Sequence, residues 1–144
     1  MMIHDMRTGV VILAAALAAS GCGGPPGLVP VRGRVTFAGK PPPAAVAITF
    51  VPREMQESGR DDGKSSRIGV AAVNADGSFE AGTFRLNDGL RPGTYDVQIN
   101  CDQAPPSADG HGPPASHVPR SFVAPILVVP ADNDAPVRYS VDVR

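Results

Sequence analysis

Residues 92–101 read PGTYDVQINC. Tyr95, Val97, Ile99 and Cys101 take one parity, while Thr94, Asp96, Gln98 and Asn100 take the other. A strand sends successive side chains to opposite faces, so this alternation predicts a strand with one side on a core and one in water. Pro92-Gly93 marks its start, because Pro presets φ and Gly adopts conformations that other residues avoid.

The same pattern repeats outward from this segment. Upstream, "VNADGSFEAG" (73–82) places Asn74-Ala75-Asp76-Gly77 as a hairpin turn, with Phe79 returning to the core side. Asn-x-Asp-Gly also invites a calcium-loop reading. With Gly77 as the sixth position, however, the first would be Ala72 and the twelfth Thr83, and neither is a carboxylate. Ile68, Val70 and Ala72 open a third strand. Further back, Val31, Gly33, Val35 and Phe37 alternate with Arg32, Arg34 and Thr36, and Val46, Ile48 and Phe50 form the apolar side of a strand that Pro52 closes. Between them, "AGKPPP" (38–43) cannot donate to a ladder and reads as a turn. Downstream, residues 122–129 are apolar, with Pro125 indicating an edge or a bulge, and Val137, Tyr139, Val141 and Val143 share the core side of a closing strand. Residues 53–67 and 102–120 are polar or rich in Pro, Gly and Ser, and read as exposed loops.

Composition agrees with this reading. Gly and Pro contribute 16 residues each, and they fall between the apolar runs, which are left short. Trp is absent and aromatics are few, so the core is built mainly from Val, Ile, Ala and Leu. A formal charge of −1, with no basic stripe, gives no long-range field to attract nucleic acid or an anionic membrane surface. No stretch after residue 22 has a helical period. Six to eight short strands separated by turns predict an all-β domain, an antiparallel β-sandwich of Greek-key type.

The N-terminal segment follows different chemistry. Residues 10–19, VVILAAALAA, are too short to span a bilayer as a helix but suit the apolar middle of a secretory signal. The sequence from Met6, "MRTGVVIL", would give that signal a cleaner positive start than Met1, because Asp5 offsets Arg7. Ala19-Ser20-Gly21-Cys22 then resembles the lipobox of bacterial lipoproteins, with Ala19 where Leu is preferred. The resemblance implies that the Cys22 thiol is alkylated by a diacylglyceryl group and that cleavage before it makes Cys22 the first mature residue. The expected organisation is a signal peptide (1–21), a Gly/Pro tether (22–30) and one β-domain (31–144). Gly23 carries no retention signal for the inner membrane, so the expected address is the outer membrane or cell surface.

The ordered turns of the domain carry a second resemblance. Gly33, Gly39-Lys40-Pro41, residues 44–50, Asp76-Gly77-Ser78-Phe79 and Pro92-Gly93-Thr94-Tyr95 are similar to the carboxypeptidase regulatory-like (transthyretin-like) β-sandwich. The likeness covers residues 31–101 well and the remainder loosely. It implies a fold and says little of function, because its motifs are turns and core positions.

Enzymes are known on similar sandwiches, and the residues they would require are missing or out of order. Hydroxyisourate hydrolases of that type carry an early strand His and a C-terminal Tyr-Arg-Gly-Ser. This chain has no mature His before His111, and Arg138-Tyr139-Ser140 runs in the wrong order. Intradiol dioxygenases bind iron through two Tyr followed by two His, whereas the order here is Tyr95, His111, His117, Tyr139. His111 and His117, near Asp102 and Asp109, could form a metal site, but a six-residue spacing on a Gly/Pro-rich loop does not orient two imidazoles. Cys101, unpaired if Cys22 is lipidated, is expected to be a buried thiol.

The expectation is therefore a lipid-anchored envelope lipoprotein whose module binds or supports and is not an enzyme. It would need no cofactor, metal or nucleic acid, and its partners would be the membrane through Cys22 and an envelope protein or glycan. The alternatives are a carbohydrate- or protein-binding accessory module, or a metal-dependent enzyme using the 102–120 loop.

Overall fold

The structure is a computed structural model that describes residues 27–58, 67–103, 115–132 and 135–144. The signal peptide, Cys22, His111 and Asp109 lie outside the described residues. Among the described residues the domain is all-β apart from one short helix. Its elements are β1 (Val31–Phe37), β2 (Val46–Pro52), α1 (Arg53–Ser58), β3 (Gly69–Val73), β4 (Ser78–Glu80), β5 (Gly93–Asn100), β6 (Leu127–Val129) and β7 (Val137–Val143). The strands form one seven-stranded sheet in the order β6-β5-β2-β3-β4-β1-β7, nearly closed into a barrel. Where the two edges approach, the Tyr139 hydroxyl on β7 donates to the Pro125 carbonyl just before β6, at 2.6 Å.

The expected antiparallel arrangement is met in part. Five strand pairings are antiparallel, but β1 and β7 run parallel in full register, from Val31 beside Val137 to Phe37 beside Val143. Parallel neighbours need a long crossover. Here the rest of the domain supplies it, because the paired strands are the first and last in the chain.

Strand faces follow the alternation, with one reversal. Val31, Val35, Val46, Ile48, Phe50, Tyr95, Val97, Ile99, Cys101, Tyr139, Val141 and Val143 are all buried, as their parities predict. Phe50 lies at the centre of the core, with no exposed surface, tilted against Phe79 at 6.2 Å and edge-on to Tyr139 at 6.5 Å. On β3, however, Ile68 and Val70 point outward, and Gly69 and Ala71 face the core. Register explains this reversal. Ile48 pairs with Ala71 and Phe50 with Gly69, so the large β2 side chains fill the space beside β3 and leave room only for small partners. A Cβ on Gly69 would run into Leu90 Cδ2.

Two other expectations shorten. The polar stretch 53–67 opens with α1 rather than as a loop, pinned by Arg53 to Asp96 on β5 at 3.0 Å. The apolar run 122–129 forms a strand only at Leu127–Val129, which lies at a sheet edge as Pro125 suggested. Val29, in the segment read as tether, is buried and exchanges backbone hydrogen bonds with Leu90 at 2.8 and 2.9 Å. The 74–77 turn forms as expected. The Gly77 N–H donates to Asn74 O at 2.8 Å, Gly77 has φ of +88°, and the Asp76 carboxylate accepts from the Ser78 N–H and hydroxyl.

Candidate functional site

Parallel pairing of β1 with β7 sets their outward residues side by side: Arg32 beside Arg138, Arg34 beside Ser140, and Thr36 beside Asp142. On this outer face lies a cleft of about 760 Å³, lined by Arg32, Arg34, Arg138, Ser140, Ser78 and Glu80 among others. The 82–89 loop forms one wall through Leu86 and Asn87. Gly33 contributes bare backbone to the lining. Any side chain there would run into the Tyr139 carbonyl, and the Phe79 ring already covers its inner side.

The charges are unevenly distributed along this face. Three arginines line the cleft against one glutamate, Glu80, which pairs with Arg32 at 2.9 Å. Arg34 approaches Asp76 at 3.8 Å. Arg138 has no acidic partner among the described residues. Both pairs are exposed, and such pairs contribute only about 0–1 kcal/mol, so a stronger anionic ligand could displace them. The upper end of the seam is different. A smaller recess of about 230 Å³ there includes Asp142, whose carboxylate is already engaged. It accepts from the Gly39 N–H at 2.9 Å, the Arg144 guanidinium at 2.6 Å and the Thr36 hydroxyl at 2.7 Å. Those bonds hold its pKa down to about 2.

The residues singled out in the sequence lie elsewhere. Cys101 is fully buried behind β5, its Sγ 4.0 Å from Ala44 O, and burial pushes its thiol pKa up. The loop that follows is tied at its base. Gln103 N–H donates to Ala115 O at 2.7 Å, His117 N–H to Cys101 O at 2.8 Å, and the Ser116 hydroxyl to the same carbonyl at 3.3 Å. Asp102 and Ser116 are bridge partners, but no group of three metal-ligating side chains forms among the described residues. Tyr95 and Tyr139 are core residues with hydroxyls bonded to the Arg91 and Pro125 carbonyls, and burial pushes both phenols up to about 12.

Sequence reasoning missed the cleft. Arg32 and Arg34 stood on the polar parity of β1, but nothing local connects them to Arg138, more than a hundred residues later. No protein family, curated protein or solved structure matches the chain.

Proposed function

We propose that the chain is a lipid-anchored envelope lipoprotein, held by an acylated Cys22, whose β-domain binds an anionic ligand along the β1–β7 seam. The observation that carries the binding reading is the juxtaposition of Arg32 and Arg138 on adjacent parallel strands, with Arg34 two residues on. Clustered guanidinium groups suit a ligand that carries several carboxylates, such as an acidic glycan. The domain is read as a carboxypeptidase regulatory-like β-sandwich. Supporting that reading are the turns at Gly39-Lys40 and Asp76-Gly77 and the buried positions of Phe79 and Tyr95. Anchorage is supported by the signal-like segment and by Ala19-Ser20-Gly21-Cys22.

Two measurements test this. The N-terminal peptide of the protein from its native host should begin at Cys22 and carry acyl mass, and Cys22→Ala should abolish both. A peptide beginning at Met1 or Met6 would refute anchorage. For binding, a uronic-acid oligosaccharide should raise the melting temperature of the mature protein, and its neutral hexose counterpart should not. Arg138→Gln should weaken that binding by about tenfold or more, the loss of one charge-assisted hydrogen bond. Equal shifts from both sugars, or none, would refute the anionic-ligand reading.

A further inference from the structure

The end of the sheet from which the chain runs back toward Cys22 has an unusual surface. Val29 is fixed to Leu90, and the 82–89 segment beside it is tightly built. Its Asp88 carboxylate accepts from the N–H groups of Thr83, Phe84 and Arg85, at 2.7, 3.2 and 2.9 Å. The Thr83 hydroxyl donates to Gly89 O at 2.8 Å, and Gly82 exchanges backbone hydrogen bonds with Val70. This well-bonded loop nevertheless presents apolar side chains to the outside. Leu86 is 82% exposed and Phe84 43%, and Ile68, entering β3 at the same end, is 46% exposed. Two guanidiniums flank the Phe84 ring, with Arg67 Cζ 5.0 Å and Arg91 Cζ 5.6 Å from its centroid. Arg85 is exposed between Phe84 and Leu86.

A rigid loop that holds apolar tips among arginines matches the chemistry of a bilayer interface. There, aromatic and aliphatic groups enter the headgroup layer while guanidiniums remain at phosphate level. Geometry brings such a surface within reach. From Cys22 to Val29 is seven residues, which can extend no more than about 24 Å. Val29 lies at this end of the sheet, so the tether from an acylated Cys22 would meet the domain beside this loop and not at the opposite end, Gly39-Lys40. The exposed Val123, Ile126 and Val128 lie beside or on β6 and have no comparable tie to Val29.

We propose that the Phe84–Leu86 loop docks on the membrane, with Phe84 and Leu86 in the headgroup layer and Arg67, Arg85 and Arg91 facing lipid phosphates. The proposal rests on the lipidation of Cys22. The chain contains no tryptophan, so Leu86→Trp supplies a single optical reporter at a surface position, and Lys40→Trp supplies one at the opposite end. The probe is the mature lipidated protein in phosphatidylglycerol-containing vesicles with acyl chains brominated near the headgroup. Emission from Leu86→Trp should shift to the blue and be quenched, and emission from Lys40→Trp should not change. Adding Arg67→Gln, Arg85→Gln and Arg91→Gln to Leu86→Trp should reduce the quenching. Melting curves check that each variant folds. An acylated N-terminal peptide together with equal quenching at the two positions would overturn the docking alone. An unacylated peptide would overturn anchorage, and the docking with it.

Discussion

Two glycines show how single atoms constrain this domain. Gly33 pairs with both Phe79 and Tyr139, and a Cβ there would meet a backbone carbonyl that cannot rotate away. A Cβ on Gly69 would clash with the end of the Leu90 side chain alone, its other neighbours being at ordinary contact distance, although Leu90 is itself fully buried. The two substitutions should therefore differ in outcome. Gly69→Ala should destabilise by about 1–3 kcal/mol, the usual range for an overpacked core, seen as a lower urea midpoint. Gly33→Ala should cost more, because it forces β1 and β7 apart, and should leave little folded protein. Equal midpoints for the two variants would contradict this account. Both glycines were visible in the sequence, but the reason for each was not, since every neighbour that excludes a side chain comes from a distant part of the chain.

Among the elements, alternation was a reliable guide wherever both faces of a strand had distinct chemistry. In β5, β2 and β7 the parities predicted from sequence are the buried ones. It failed at β3, where Val70 and Ala72 look as suitable for a core as Gly69 and Ala71. There the choice was made by the volume of Phe50 and Ile48 across the ladder. One side chain on β7 bonds across to the segment before β6. Tyr139→Phe keeps the buried ring and removes its bond to Pro125. Because Pro125 is exposed, its carbonyl can regain water, and the expected loss is about 0.5–1.5 kcal/mol in urea unfolding. No change in stability would mean that the hydroxyl plays no part in joining the edges.

For the whole molecule, buried phenols and two hydrogen-bonded carboxylates held low, Asp142 and Asp76, define a pH window. Asp142 ionises near pH 2 in the fold against a usual value of 3.8, so the stability it contributes is present above about pH 4 and lost as pH falls toward 2. Tyr95 and Tyr139 move the other way, because burial raises both from 10.0 to about 12. Their contribution is complete below pH 10 and is lost as pH rises toward 12. Melting temperature should therefore fall at both extremes. Asp142→Asn should make the acid arm shallower, leaving the share of Asp76, and Tyr139→Phe should leave a shallower alkaline arm that belongs to Tyr95 and the buried Cys101 thiol. Phenolate absorbance that rises near pH 10 in the folded protein would contradict the alkaline half. The sequence by itself determined that the domain is all-β, where most strands and turns fall, and that Cys101 and both tyrosines face inward, because strand period and turn chemistry are local properties. The tertiary structure alone decided the parallel pairing of β1 with β7, the outward face of Val70 and the cluster of Arg32, Arg138 and Arg34. Each of these is fixed by which distant strands become neighbours, and no local pattern encodes that.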